Sequence, residues 1–192
     1  MITDEGWRCQ RIFVVVLPCH VWAAIMHNME AMQFIDIVKS YYRDNKRFFA
    51  WRDVDNPYYV LVSEIMLQQT QTYRVAPKFA DFVEKFPTIE MLASAPLAAV
   101  LAAWQGLGYN RRAKFLHLTA QHIVSAHGGI VPSDPALLKT CPGIGPATAA
   151  SIVAFAYDRP TFFIETNIRA VYIHFFFPGR EKVSDVELQP LV

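Results

Sequence analysis

The sequence predicts an all-α fold, and three observations carry that expectation. From Phe34 onward the apolar residues recur at helical spacing, and strands are hard to find. Pro57, Pro96 and Pro135 stand where a helix would open, a position at which the missing N–H costs nothing. Gly128 and Gly129 directly follow an apolar-periodic stretch, as helix-ending glycines do.

The spacing places helices at about 33–45, 57–68, 72–86, 97–104, 110–127, 134–140, 146–157 and 167–176. Pro57 opens the second and Pro96 precedes the fourth. In the fifth, Ala113, Leu116, Ala120, Ile123 and Val124 line one face, while Arg111, Arg112 and Lys114 crowd its start, giving a core face and a basic end. Pro135 opens the sixth. The seventh is nearly all small residues from Ala147 to Ala156, which lets it approach a neighbouring helix closely. The eighth opens near Asn167 and Ile168. No internal repeat or low-complexity linker interrupts the series.

At 192 residues the chain can bury one substantial core, or two small lobes sharing a cleft. Its net charge is +1, of which the first 31 residues contribute −1, leaving +2 for the rest. That excludes polyelectrolyte-style nucleic-acid binding, so any grip on DNA has to come from a few placed groups and backbone amides. Cys9, Cys19 and Cys141 are odd in number and widely spaced, which fits neither a disulfide framework nor a zinc or iron–sulfur spacing and suits a reducing cytoplasm. The apolar run from Ile12 to Met26 is broken by Pro18, Cys19 and His20 and is shorter than the roughly 20 residues a spanning helix needs. Residues 1–31 are therefore expected to be a leader outside the fold, with residues 32–192 forming the domain, and no membrane anchor is expected.

The segment Cys141 to Ala150, CPGIGPATAA, carries the first functional signal. Pro142, Gly143, Ile144, Gly145 and Pro146 form a turn between two short helices, with two glycines that permit φ values closed to other residues. Such a turn exposes amides at a helix N-terminus, where the dipole favours a phosphate without requiring lysines. On these residues alone, a bare structural corner and a phosphate clamp are both open readings. Glu165, in FIETNIRAV from Phe163 to Val171, follows Gly145 by twenty residues.

Hairpin and acidic residue together resemble the helix-hairpin-helix superfamily of base-excision repair glycosylases. Upstream, SEIMLQQTQ (Ser63 to Gln71), FPTIEMLASAP (Phe86 to Pro96) and WQGLGYNRRAKFL (Trp104 to Leu116) are similar in order and spacing to the adenine DNA glycosylase (MutY) branch. The resemblance covers about Phe34 to Phe177. It implies two helical lobes with a cleft, one carrying the hairpin at about 134–157 and the other built from both chain ends. The partner it implies is double-stranded DNA with a mismatch, bound by a monomer.

Hydrolysis of an N-glycosidic bond needs an acid to protonate the departing base and a carboxylate to stabilise the positively charged sugar, and two carboxyl groups in different environments divide those tasks. Glu64, among Val60, Ile65, Met66 and Leu67, is expected to be buried and to have a raised pKa that suits the general acid. The resemblance places the family's catalytic glutamate here; an exposed helix carboxylate is the plainer alternative. Glu165 precedes a helix whose dipole favours its ionised form. The family usually has aspartate at this position, so the longer side chain changes its reach. Asn167 would orient water or the sugar-phosphate, by the same resemblance.

A base in a duplex must leave the stack before it can react. Gln69 and Tyr109 match positions whose side chains, in this family, wedge into the duplex; a loop aromatic packed on the core is the other reading of Tyr109. Arg111 and Arg112 are candidate phosphate contacts or simply a solvated basic helix end. Pro142, Gly143, Ile144 and Gly145, with Thr148 in the first turn beyond them, complete the expected DNA-binding set. Ala147 stands where the related endonuclease III branch carries a Schiff-base lysine, so a monofunctional glycosylase is expected.

The adenine branch commonly continues into four cysteines holding a [4Fe-4S] cluster and into a further domain that reads 8-oxoguanine. This sequence ends at Val192 without those cysteines, so no cofactor is expected for it, and the domain is read as incomplete at its C-terminus. Two alternatives to adenine excision opposite guanine or 8-oxoguanine stay open at this point. One is a thymine or uracil mismatch glycosylase of the same superfamily, and the other is a non-catalytic helix-hairpin-helix DNA-binding fragment.

Overall fold

A computed structural model describes residues 31–52 and 54–191. Apart from Ala31, the expected leader, with its apolar run and Cys9 and Cys19, lies outside the described residues. Among those residues there are ten α-helices, a closing 3-10 turn at Gln189–Leu191, and no strand. The helices are α1 (Ala31–Asn45), α2 (Pro57–Leu67), α3 (Thr72–Lys85), α4 (Ile89–Ser94), α5 (Leu97–Trp104), α6 (Arg111–His127), α7 (Pro135–Leu138), α8 (Pro146–Tyr157), α9 (Thr166–Phe176) and α10 (Asp185–Leu188). None of these helices is long and apolar enough to cross a membrane.

Local chemistry explains most of the boundaries. Asn56 caps α2 by accepting from the amides of Tyr58 and Tyr59 at 3.1 and 3.4 Å, with Pro57 in the first turn. Asp134 does the same for α7, accepting from Ala136 at 2.8 Å ahead of Pro135. Gly128, at φ +60°, ends α6 in the left-handed conformation that glycine adopts without steric cost. Helix α4 was not expected, because six residues give too short a period to stand out; its Thr88 cap, accepting from Met91 at 3.3 Å, and buried Ile89 and Leu92 define it.

The chain divides into two compact units, Phe48–Thr161 and the two chain ends together, up to Arg47 and from Phe162. Within the first unit, Leu61, Met66, Phe79, Phe82, Trp104, Leu116, Ile123 and Ile152 form one continuous buried core. The expected inward face of α6 is there, since Ala113, Leu116, Ala120 and Ile123 are fully buried. Helix α8 packs on α2, and its Ala149, Ile152 and Val153 belong to the same buried core. In the terminal unit Phe34 of α1 packs edge-on against Phe175 and Phe176 of α9, at centroid distances of 4.9 and 5.1 Å.

Candidate active site

The hairpin is α7, the turn through Gly145, and α8. Gly143 has φ +78°, and a Cβ there would lie 2.7 Å from the Phe115 ring, so both conformation and space require glycine. Gly145 does not use that freedom. Its φ is −86° and ψ 174°, an extended helix cap that any residue adopts, and nothing lies within 4 Å of where its Cβ would be. What Gly145 provides is an open approach to the backbone. Ile144 also differs from a DNA-facing residue, because its side chain is buried in the core and its amide donates to the Cys141 carbonyl at 3.2 Å.

The first hydrogen bond of α8 runs from the Ala149 amide to the Gly145 carbonyl at 2.9 Å. Pro146 has no N–H, so the amides of Ala147 and Thr148 stand ahead of the helical ladder, where a helix offers donors to an anion. Helix α6 holds this turn from below. Thr119, fully buried, donates to the Pro142 carbonyl at 2.9 Å, and Phe115 supports Gly143. The exposed Arg111 guanidinium lies over that same Phe115 ring at 4.9 Å, which brings a cation beside the hairpin turn. Burial pushes the Cys141 thiol up, opposed by a hydrogen bond from Thr140, so Cys141 is a core residue rather than a nucleophile.

Arg112 behaves differently from its neighbour. At 9 % exposure it is neither a solvated helix end nor a group presented to phosphate. Its Nη1 donates to the carbonyls of Ile65, Met66 and Gln68, and its Nη2 to Thr70 Oγ1 at 2.9 Å and the Gly108 carbonyl at 3.2 Å. The physical reason is the C-terminus of α2, whose last carbonyls lack intrahelical partners and carry the negative end of the dipole. Burial lowers the pKa of Arg112, with Tyr109 opposing the shift. The expectation of a phosphate contact is therefore corrected for this residue: it is the internal tie of the site.

Gln69 and Tyr109 flank that tie. Gln69 has φ +55° and Tyr109 φ +48°, two of three left-handed non-glycine residues among those described. Both are exposed, Tyr109 at 64 %. Such conformations persist only where surroundings enforce them, and they concentrate at functional sites. Here Arg112 holds the chain on either side of Gln69, and the Arg112 guanidinium lies 5.4 Å from the Tyr109 ring. Trp104 Nε1 and Arg74 Nη2 add bonds to the Gly108 and Gly106 carbonyls at 3.1 and 2.6 Å. Tyr109 is thus displayed from a pinned loop rather than packed on the core.

Glu64 is half-buried on α2, with Val60, Ile65 and Met66 buried around it. Ser151 of α8 donates to its Oε2 at 2.7 Å. One turn along, Gln68 Nε2 donates to Thr148 Oγ1 at 3.3 Å, so Thr148 faces α2 with its hydroxyl while its amide lies in the first turn of α8. Ser151 was invisible to sequence reasoning, because a serine in a row of small helix residues is ordinarily just another small residue. In the terminal unit, Glu165 caps α9 with extended backbone at φ −96° and ψ 166°; its carbonyl accepts from Arg169 at 2.8 Å, but its carboxylate makes no capping bond. Helix α9 opens at Thr166, one residue before the expected start, and Glu165 and Asn167 are both exposed.

Among the described residues no three His, Cys, Asp or Glu side chains come together as metal ligands, and Cys141 is the one cysteine. The described residues therefore do not fit an iron–sulfur cluster.

A glycine turn opening a helix N-terminus, fixed to a neighbouring helix that carries a half-buried glutamate, is the arrangement of a helix-hairpin-helix protein. Residues 62–189 match the HhH-GPD superfamily of base excision DNA repair proteins, and the chain belongs to that superfamily. It is 42 % identical over 133 residues to an adenine DNA glycosylase of Mycobacterium tuberculosis (strain ATCC 25618 / H37Rv), covering 69 % of this chain and 44 % of that protein. It is 34 % identical over 171 residues to the Homo sapiens adenine DNA glycosylase, covering 84 % of this chain and 31 % of that one. The chain thus spans less than half the length of these curated relatives. In fold it matches a thermostable thymine-DNA glycosylase with a TM-score of 0.69 at 24 % identity, over 74 % of this chain and 66 % of the other. A trapped endonuclease III–DNA covalent intermediate matches equally, at 0.69 and 20 % identity over 85 % and 77 %.

Proposed function

We propose that this protein is a monofunctional DNA glycosylase that binds mismatched duplex as a monomer and hydrolyses the bond between sugar and adenine where adenine lies opposite guanine or 8-oxoguanine. The observation that carries this reading is the hydrogen bond from Ser151 to Glu64. It joins the half-buried glutamate to the same helix whose first-turn amides form the candidate phosphate grip, so a backbone held at the turn and a base brought to the carboxyl share one rigid element. Relatives named adenine DNA glycosylase support adenine as the base.

The proposed chemistry divides between two carboxyl groups. Glu64 donates a proton to the adenine ring as the bond to the sugar breaks, so that the base leaves neutral. A carboxylate stabilises the oxocarbenium-like sugar until water adds and passes its proton to a carboxylate. Glu165 is assigned that second role on its local setting, an exposed carboxylate at a helix N-terminus that is not consumed in capping. Asn167, in the first turn of the same helix, is the candidate for orienting water. Gln69 and Tyr109 take the place of the extruded base, Arg111 adds a charge beside the hairpin, and Ala147 leaves no amine to form a Schiff base.

The test is single-turnover base release from duplexes carrying adenine, thymine or uracil opposite guanine or 8-oxoguanine, with Glu64→Gln in parallel. Adenine release that the variant loses supports the proposal. Release of thymine or uracil instead, no release at all, or undiminished release by Glu64→Gln overturns it.

A further inference from the structure

We propose that Ser151 is a positioning residue for Glu64, holding Oε2 of its carboxyl in place as the acid gives up its proton. The inference rests on the reading of Glu64 as the general acid. Its observation is a pair of polar rungs between α2 and α8. Glu64 and Gln68, one turn apart on α2, meet Ser151 and Thr148, one turn apart on α8, at 2.7 and 3.3 Å. Around them Ile65, Met66, Ala149 and Ile152 are buried and offer no polar atom.

Ser151 is 1 % exposed, so its hydroxyl has no bulk water to turn to. It lies within hydrogen-bond reach of two acceptors, Glu64 Oε2 at 2.7 Å and the Thr148 carbonyl at 3.0 Å, and has a single proton to give. A serine inside a helix ordinarily gives that proton to a carbonyl of the preceding turn. Here the shorter contact is to the carboxyl, which competes for it from the next helix.

The Ser151 hydroxyl is therefore in place at the carboxyl when Glu64 gives up its proton. As that proton moves to the base, charge appears on the carboxylate, and the bond from Ser151 becomes charge-assisted and shorter. It is stronger in the transition state than before, which is the condition for accelerating the chemical step rather than tightening substrate binding. A serine on α8 also places the acid at a fixed distance from the hairpin turn that opens the same helix.

The experiment compares the full chain with Ser151→Ala and Ser151→Thr, measuring the single-turnover rate of adenine release, duplex affinity by fluorescence anisotropy, and thermal melting, with Glu64→Gln alongside. Loss of one hydrogen bond to a developing charge predicts a rate about tenfold lower for Ser151→Ala, with affinity within about twofold of the parent and melting unchanged within a few degrees. Threonine, which restores the donor, should recover most of the rate. Should the added methyl prevent folding, seen by circular dichroism, the split between rate and affinity in the alanine variant decides alone. A parent-like rate in Ser151→Ala overturns the proposal, as does a rate that falls in step with affinity and melting. If the parent chain releases no base, the glycosylase reading has failed. The 13C shift of the Glu64 carboxyl then tests the contact itself, and an unmoved shift in Ser151→Ala overturns it.

Discussion

Arg112 donates from Nη1 to the carbonyl of Met66 at 2.8 Å, and so closes the C-terminus of α2 with a cation supplied by α6. The same guanidinium reaches Gln68, Thr70 and Gly108, and lies 5.5 Å from the Trp104 ring. One buried side chain therefore fixes both the turn that presents Gln69 and the loop that presents Tyr109. Arg112→Ala leaves several buried carbonyls without a donor and should lower the free energy of unfolding by about 3 kcal/mol in a urea titration. Arg112→Lys should recover only part of this, because a single ammonium cannot span the fork of contacts. A change under about 0.5 kcal/mol, the range of ordinary surface substitutions, would remove Arg112 from this role.

Two glycines of the hairpin should respond in opposite ways. Gly143→Ala forces a left-handed alanine, costing about 1–2 kcal/mol, and drives its methyl group into the Phe115 ring, so both stability and duplex affinity should fall. Gly145→Ala meets no neighbour and keeps an ordinary backbone, so its melting temperature should match the parent. Any loss of affinity in that variant then reports obstruction of a phosphate approaching the turn. If Gly145→Ala leaves anisotropy-measured affinity intact as well, the turn does not take a phosphate at that point.

The contrast between these glycines shows where the sequence was informative. Helix positions were legible because apolar period, first-turn prolines and Gly128 all act within a few residues of one another. The hairpin was legible for the same reason, through Pro142 to Pro146. What a side chain does across the fold was not. Arg111 and Arg112 are adjacent and identical, yet a rotation of about 100° per residue turns one toward solvent and the other beneath α2. The different roles of Gly143 and Gly145, and the contact between Ser151 and Glu64, likewise depend on which helix lies opposite. Helix α10 is a different case: its Ser184–Glu187 capping box is a local signal, present in the sequence and passed over.

That capping box gives a pH prediction. Glu187 is pushed down from 4.5 to about 2, first by the Ser184 backbone amide and then by the Arg180 and Ser184 side chains. A carboxylate whose folded-state pKa is depressed contributes stability that is fully present above the unfolded value and is lost as pH falls through the folded one. The contribution of Glu187 should therefore be intact above about pH 4.5 and gone near pH 2. Its carboxyl 13C resonance, followed between those limits, should titrate well below the ordinary 4.5. A midpoint at the ordinary 4.5 would show that the box does not form in solution.

Ala147 provides the most direct test of reaction type. It is exposed in the first turn of α8 and lies one turn before Ser151, on the same side of the helix. A primary amine at this position would reach the neighbourhood of Glu64; a methyl group has no lone pair with which to attack a sugar carbon. Borohydride added during the reaction should therefore trap no covalent protein–DNA adduct from the parent chain, and the strand should stay unbroken until alkali cleaves it at the vacated sugar. Ala147→Lys should fold normally, since the site is exposed, and should yield a borohydride-dependent adduct resolved on a denaturing gel. An adduct from the parent chain would mean that another amine reaches the sugar, and the assignment of a purely hydrolytic reaction would fall.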